Sequence, residues 1–131
     1  MLLHTLPAED GYSMPAEFAP QHGVLLVWPT RPGSWGIDPA KAQRAFCAVM
    51  RAASRSERVY LLTDNAHLSE ARTQAGAFAN VLEIASDDAW ARDTGPTFLT
   101  NGSDVRGVSW RFNAWGGETD GLYASWARDD A

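Results

Sequence analysis

The densest group of chemically capable side chains in this 131-residue chain runs from Asp87 to Pro96. It combines three aspartates with a tryptophan and an arginine. A carboxylate such as Asp93, beside an aromatic wall such as Trp90, suits a planar cation like guanidinium, because it can accept two parallel hydrogen bonds from that cation. The alternative is a surface turn in which the acids close the loop and Asp93 forms a structural ion pair, for example with Arg92. Composition leaves both interpretations open.

A second candidate segment, Trp115-Gly116-Gly117, places an indole before two residues without side chains. Glycines let the backbone approach a ligand closely, or they simply form a tight turn. We predict that this segment lies near the same pocket as the first. The candidate binding residues are therefore Trp90, Asp93, Trp115, Gly116 and Gly117. For Trp90 the alternative is a role in core packing.

Composition places the chain among ordinary globular proteins of one modest domain, with 45% hydrophobic and 21% charged residues. Sixteen acids against eleven bases give a net charge of -5, which disfavours nucleic acid and anionic membranes as partners and favours a cationic substrate. The single cysteine, Cys47, excludes an internal disulfide framework and a cysteine-rich metal site. No apolar run approaches the roughly 18 residues of a membrane span, and the start lacks the basic residues of a secretory signal, so a cytoplasmic location is expected.

Periodicity predicts an α/β fold in which helices and strands alternate before a hairpin. Residues 1–22 hold several prolines and few periodic apolar positions, which indicates an extended arm. The strongest hairpin signal is Asn101-Gly102, between two strand-like runs. The predicted order is therefore β-α-β-α-β-β-β in a mixed sheet, with strands at 23–28, 58–63, 80–84, 97–100 and 105–112 and helices at 39–54 and 65–77.

These predicted elements also position the candidate site. The third strand delivers the acidic segment at its C-terminal end, where ligands tend to bind in α/β sheets. We expect the first strand, an uninterrupted apolar run, to be buried on both faces. The second helix is expected to begin at an Asn65 cap. The first helix is expected to bury one apolar stripe, formed by Ala42, Ala45, Phe46, Val49, Ala52 and Ala53.

Five segments together carry a resemblance to a known family. They are Thr5 to Phe18, Val27-Trp28-Pro29, the acidic segment Asp87 to Pro96, Phe112 to Gly117, and Asp120 to Tyr123. In this order and at these spacings, the chain resembles the N-terminal part of agmatine deiminases. These belong to a larger guanidine-modifying group that includes the bacterial peptidyl-arginine deiminases. The resemblance runs from about Thr5 to the last residue.

The resemblance implies a fold and a setting. The group folds as a fan of five ββαβ-type modules around a central site, called a pentein or α/β-propeller. Residues 1–131 would be an N-terminal fragment of that single domain, supplying about the first third of the fan. Members act on small cationic guanidines and are commonly homodimers or larger. Agmatine deiminases serve polyamine metabolism, including putrescine biosynthesis, and need no metal or organic cofactor.

The implied reaction is hydrolysis of agmatine to N-carbamoylputrescine and ammonia. A thiolate attacks the guanidinium carbon, carboxylates hold the N–H groups, and a histidine protonates the leaving ammonia and activates water. Asp93 matches a family position whose carboxylate holds the guanidinium. A buried carboxylate there would keep the substrate cationic and align it, which makes Asp93 the catalytic candidate. Trp90 matches the tryptophan of the same motif.

The chain lacks the remaining parts of that machinery. The family nucleophile follows a glycine-rich stretch near the C-terminus, and nothing like it occurs in this sequence. Cys47 lies in the interior of a predicted helix, where a thiol has a raised pKa and is inert. His4, His22 and His67 match no family histidine and are expected to be solvated. Residues 1–131 alone are therefore expected to show no turnover.

Two alternative functions stay open. A deiminase of peptidyl-arginine or another guanidine keeps the chemistry and changes the substrate. Glu118 and Thr119, where most members carry apolar or aromatic residues, alter the polarity of a possible pocket rim. A stand-alone, non-enzymatic binding module would instead use the six tryptophans as aromatic platforms for sugars or cations.

Overall fold

A computed structural model of the chain describes residues 3–130. Helices and strands follow one another in the order expected from periodicity, with two one-turn helices added. The elements are β1 (Val24–Val27), α1 (Ala40–Ala53), β2 (Val59–Thr63), α2 (Leu68–Ala75), β3 (Asn80–Glu83), α3 (Ala91–Thr94), β4 (Thr97–Thr100), β5 (Val105–Val108) and α4 (Gly117–Asp120). Met1 and Leu2 of the predicted arm, and Ala131, lie outside the described residues.

Parallel and antiparallel pairing both occur, as expected, and they are divided between two sheets. The first sheet has the order β1-β2-β3, and both of its pairs are parallel. The second is the antiparallel β4-β5 hairpin, in which Thr97 pairs with Val108. The last strand ends at Val108 and does not reach Phe112 as predicted. Two of the residues that follow bind Asp130 instead: the Phe112 N–H donates to its carboxylate (2.8 Å), and so does the Arg111 Nε (3.0 Å).

The buried stripe of helix α1 is shifted by one residue from the predicted one, so that Phe46 and Ala53 of the prediction still pack inward. Gln43 and Met50 are buried, and Phe46, Cys47 and Ala53 pack against the core cluster. The predicted stripe members Ala45, Val49 and Ala52 are exposed. Longer side chains gain more from burial than alanine does, so they decide which face turns inward. Gln43 is tolerated there because its side-chain amide donates to the Pro29 carbonyl (3.3 Å).

Helix α2 covers the same face of the parallel sheet with small side chains. Ala71 and Ala75 are fully buried, as predicted. A short 3-10 turn, Asn65–His67, precedes the helix, and its cap is Asp64 rather than the predicted Asn65. The Asp64 carboxylate accepts the backbone N–H of His67 (3.0 Å), which satisfies one of the donors left open at the start of a helix.

The opposite face of the parallel sheet is only partly covered within residues 3–130. Leu82 and Ile84 are exposed there, and Leu25 is half-buried. Helices α1 and α2 both pack on the other face, against Leu26 and Leu61. In β1 itself Val27 is buried and Val24, Leu25 and Leu26 are half-buried, so the expectation of burial on both faces is met only in part within the described residues. No helix within residues 3–130 has the length and apolar character needed to cross a membrane.

The N-terminal arm lies against the hairpin. Ser13 and Thr100 exchange two backbone hydrogen bonds of 3.0 and 2.9 Å. The Tyr12 hydroxyl donates to the Asp104 carboxylate (2.7 Å), and Arg106 forms an ion pair with Asp10 (2.6 Å). These contacts hold the arm along β4 and β5, beside α3.

Candidate functional site

The turn that follows β3 is built from carboxylates that accept backbone N–H groups. Asp88 is buried, and its Oδ1 accepts from the N–H of Ala89 (2.7 Å). Asp87 is half-buried, and its Oδ2 accepts from the N–H of Arg128 (3.0 Å). Asp88 thus closes the turn locally, as acidic loop residues often do, whereas Asp87 ties the turn to Arg128, which lies 41 residues further along the chain. The turn directs the chain into Trp90 and α3.

Helix α3 is a single turn that presents Asp93. The carbonyl of Trp90 accepts the N–H groups of Asp93 (3.0 Å) and Thr94 (3.1 Å), which fixes the start of the turn. The Asp93 side chain is exposed, in contrast to the predicted buried carboxylate. A one-turn helix buries little of itself, and no other part of residues 3–130 covers this side chain. Its Oδ1 accepts one hydrogen bond, from the indole Nε1 of Trp115 (3.4 Å).

The alternative ion pair between Asp93 and Arg92 is absent from the described residues. Arg92 instead contacts Glu17 of the arm (3.0 Å), and both side chains are highly exposed. Such a pair contributes little to stability in water. The carboxylate of Asp93 therefore keeps acceptor positions for another donor.

Six aromatic rings form a continuous series through the candidate site. Trp35 stacks on Trp90 with centroids 6.1 Å apart, and Trp90 meets Trp115 edge to face at 6.5 Å. The series extends to Phe46 at one end, and to Phe112 and Tyr123 at the other. Trp90 and Trp115 stay about half exposed, at 50% and 47%, so their rings offer surface to a ligand beside Asp93. Trp90 thus packs against Trp35 with part of its surface and leaves the other part open, so the core-packing alternative describes only one side of it.

The segment around Trp115 has an unusual backbone. Ala114 and Trp115 adopt left-handed φ values of 54° and 63°, which cost an L residue roughly 1–2 kcal/mol each. Gly117 is also left-handed, at 65°. A Cβ on Gly116 would overlap the backbone of Asp120. The glycines thus form the tight turn into α4, and this turn aims Trp115 at Asp93.

Three functional candidates here were not found by sequence reasoning: Arg31, Tyr123 and Asp129. The guanidinium carbon of Arg31 lies 3.8 Å from the centre of the Tyr123 ring, and its Nε donates to the Asp87 carbonyl (2.6 Å). Burial, and then the negative charge of Asp129, raise the pKa of Tyr123. Arg31 is distant in the chain from Tyr123 and Asp129, so the three carry no local spacing signal, although Tyr123 lies within a recognised motif.

The thiol and the described histidines lie elsewhere. Cys47 faces a groove of about 550 Å³ between α1 and α2, together with Arg44 and Arg51, and burial raises the pKa of its thiol. The groove holds no residue of the recognised motifs. His67 is paired with Asp64 (2.7 Å) rather than fully solvated, whereas His4 and His22 are exposed. Within residues 3–130, no group of three or more potential ligands could hold a metal ion.

Comparison with known proteins agrees with the motifs. The sequence profile of the Porphyromonas-type peptidyl-arginine deiminase family matches residues 13–131. Agmatine deiminases of Pseudomonas putida and Stutzerimonas stutzeri are each 48% identical to the chain over 98% of its length. A solved agmatine deiminase of Enterococcus faecalis superposes with a TM-score of 0.93 at 39% identity, over 98% of this chain and 36% of that one.

The chain spans about a third of the length of these relatives: 35% of the Pseudomonas putida enzyme and 35% of the Stutzerimonas stutzeri enzyme. The likeness to the solved structure confirms an α/β fold of the pentein group, and the sequence match confirms the resemblance seen in the motifs. The chain belongs to the Porphyromonas-type peptidyl-arginine deiminase family.

Proposed function

We propose that the complete protein hydrolyses agmatine to N-carbamoylputrescine and ammonia, and that this chain supplies one carboxylate and two aromatic walls of its guanidinium site. One observation carries the proposal. One oxygen of Asp93 accepts from the Trp115 indole (3.4 Å), and the Trp115 ring meets that of Trp90, both rings being half exposed. Relatives of similar sequence named agmatine deiminase favour this substrate over other guanidines.

The proposed role of Asp93 follows from its free acceptor positions. A carboxylate offers about four lone-pair sites, and Trp115 occupies one of them in the described residues. The others can accept two parallel N–H bonds from a guanidinium, which align its carbon and keep it cationic. The faces of Trp90 and Trp115 add cation–π attraction to the planar substrate.

Gly116 and Gly117 are proposed to act indirectly. Their turn sets the direction of the Trp115 indole, and their lack of side chains keeps the rim of the site low. Glu118 and Thr119 follow at once on exposed positions, where they add polarity to that rim.

The rest of the machinery is proposed to come from further parts of the complete protein. The reaction needs a thiolate that attacks the guanidinium carbon, expels ammonia and is then released by water, with a histidine as acid and base. Cys47 lies in the groove beside α1 with a raised pKa, so it does not suit this role. No metal or organic cofactor enters this chemistry. We further propose cytoplasmic polyamine metabolism as the setting and a homodimer or larger assembly as the working form.

A second candidate keeps the same site with peptidyl-arginine as the substrate. The family profile carries that description, and the open position of Asp93 would admit a side chain at the end of a polypeptide. The stand-alone binding module is disfavoured, because Asp93 lies beside the aromatic rings in an arrangement suited to guanidinium rather than to an uncharged sugar.

The test is ammonia release by the complete protein from agmatine and from a peptidyl-arginine substrate. We expect release from agmatine, and a loss of about 10³-fold or more in Asp93→Asn, since a charged contact to the reacting group is removed. Glu17→Gln is the control, because it removes an exposed carboxylate from the neighbouring Arg92 pair. Release from the peptide alone changes the proposed substrate. Release from neither, or full activity in Asp93→Asn, overturns the proposal.

A further inference from the structure

We propose that Asp129 is a positioning residue for the guanidinium site: it fixes the turn that carries Trp90 and Asp93. This inference rests on the function proposed above for Asp93. Asp129 is 36 residues beyond Asp93 in the sequence (129 minus 93) and belongs to none of the motifs that identified the family segments. Its contacts reach the site by two separate routes.

The first route runs through the backbone of the turn. Asp129 is buried, at 5% exposure. Its Oδ1 accepts from the N–H of Asp87 (2.7 Å), from the N–H of Asp88 (3.3 Å) and from the hydroxyl of Ser86 (2.5 Å). A single oxygen atom thus accepts from three consecutive residues, which end two positions before Trp90. Such bonds to an ionised acceptor are short and strong, particularly away from water.

The second route runs through the aromatic series. The other carboxylate oxygen of Asp129 accepts the hydroxyl of Tyr123 (3.2 Å). The Tyr123 ring meets Trp115 edge to face at 6.2 Å, and Trp115 donates to Asp93. Asp129 therefore contacts the turn before the catalytic candidate directly, and it reaches the Trp115 ring that orients the Asp93 carboxylate through Tyr123.

Removal of this carboxylate leaves buried donors without an acceptor. Among the described hydrogen bonds, the N–H groups of Asp87 and Asp88 donate to Asp129 and to no other acceptor. Because an unsatisfied buried donor is costly, the turn is expected to shift until water or another oxygen reaches it. A displacement of about 1 Å at a catalytic group can lower a rate by roughly 100-fold. If the Asp129 carboxylate only stabilised residues 121–130, its removal would lower the stability of the fold without this effect on the rate.

The matched control is Asp104. It is also a carboxylate that accepts a tyrosine hydroxyl, that of Tyr12 (2.7 Å), but it lies in the hairpin turn and contacts neither Trp90 nor Trp115. Asp104→Asn thus removes a similar charge and a similar hydrogen bond from another part of the fold.

The experiment uses the complete protein with Asp129→Asn, Asp129→Ala and Asp104→Asn. The first readout is hydrogen–deuterium exchange of the Asp87 and Asp88 amides, which needs no substrate. We expect at least tenfold faster exchange in Asp129→Ala, a smaller increase in Asp129→Asn, and no change in Asp104→Asn. Unchanged exchange in the Asp129 variants overturns the inference.

The second readout is agmatine turnover. We expect kcat/KM to fall by about 10- to 100-fold in Asp129→Ala and by less in Asp129→Asn, since asparagine keeps one oxygen for the turn. Asp129→Asn should lower kcat/KM by a smaller factor in the Trp115→Phe variant than in wild type, because both changes act through Asp93. Additive effects, or an equal loss in Asp104→Asn, contradict the positioning role. A wild-type protein without turnover, but with the expected exchange pattern, rejects the proposed function and keeps the role of Asp129 in the turn.

Discussion

At the scale of single residues, the direction of the Asp93 carboxylate is set by its neighbours rather than by its own helix. Helix α3 has four residues, so the contact with Trp115 is the constraint on the side chain that the described residues provide. Trp115 in turn adopts a left-handed backbone conformation that non-glycine residues rarely take. Strain of this kind persists only where surrounding contacts enforce it, and it is often found at functional sites.

The Trp115 indole N–H gives a direct test of this arrangement. Trp115→Phe keeps an aromatic ring and removes the hydrogen bond to Asp93. We expect kcat/KM of the complete protein for agmatine to fall by about tenfold, the effect of roughly 1.4 kcal/mol, which is the lower range for a bond to a charged group. Trp110→Phe is the control, because the Trp110 indole donates to Thr97 (2.8 Å), away from Asp93. Equal kinetics in wild type and Trp115→Phe would contradict an orienting role.

Cys47 provides a second prediction at this scale. Burial raises the pKa of its thiol, so the folded state holds the proton more firmly than the unfolded state does. We expect native Cys47 to react slowly with iodoacetamide near pH 8, to react faster as the pH rises, and to react at the rate of a free thiol after unfolding. Fast alkylation of the native thiol at pH 7, or loss of agmatine turnover in Cys47→Ser, would show that Cys47 has a functional environment after all.

At the scale of elements, local patterns were sufficient for the order of helices and strands and insufficient for their orientation. The Asn101-Gly102 turn and the apolar runs predicted the hairpin and the parallel strands correctly. The inward face of α1 is shifted by one residue from the predicted stripe, because most of that stripe was alanine and alanine carries little information about burial. Asp64 rather than Asn65 caps the second helical segment, because either residue type suits a cap.

The site itself was predicted only in part for the same physical reason. Sequence motifs named Trp90, Asp93 and Trp115, and the structure brings these three side chains together. Neither the exposure of Asp93 nor the role of Asp129 followed from spacing, because each depends on contacts between segments more than 20 residues apart. Long-range contacts of this type leave no periodic signal.

The two neighbouring glycines differ in the reason they are needed, which gives a matched pair of substitutions. Gly117 has a φ of 65°, and a Cβ there would meet only the Asn113 side chain at an ordinary contact distance (3.8 Å), so Gly117→Ala should cost about 1–2 kcal/mol in unfolding free energy. A Cβ at position 116 would overlap the Asp120 backbone, so Gly116→Ala should cost more and should displace Trp115. Chemical denaturation of the complete protein measures both. A smaller loss at position 116 than at 117 would contradict the observed turn.

The C-terminal segment, residues 121–130, should detach in acid. The backbone N–H of Phe112, followed by the side chain of Arg111, lowers the pKa of Asp130. A lowered folded-state pKa stabilises the fold above the unfolded value of about 3.9, and this contribution is lost as the pH falls through the folded pKa. We therefore expect the melting temperature of wild type to drop more steeply below about pH 4 than that of Asp130→Asn. Parallel curves would show that the contact contributes nothing.

At the scale of the whole molecule, residues 3–130 leave large apolar side chains uncovered. Phe18 is 94% exposed and Leu122 is 71% exposed, while Leu82 on the edge strand β3 and Ile84 directly after it are also exposed. Exposed edges and apolar patches favour association with other chains. Because the chain spans about a third of its relatives' length, we expect further parts of the complete protein to cover this surface.

Residues 1–131 produced alone should therefore self-associate and bind a dye such as anilinonaphthalene sulfonate more strongly than the complete protein does. Leu82→Lys with Ile84→Lys should reduce this association, since charge on an edge strand opposes further pairing. Lysines at the exposed positions Thr119 and Asp120 are the control for added charge. A soluble, monomeric fragment that binds no dye would instead favour an independent module.

The stacked rings of Trp35 and Trp90 also give the site an optical signature. Their centroids lie 6.1 Å apart with planes inclined by 26°, and two indoles this close share their electronic excitation. Such coupling splits the ultraviolet absorption of the pair into two bands that rotate circularly polarised light in opposite senses. Assembly of the turn around Asp129 can therefore be followed in real time by circular dichroism, before any substrate is added.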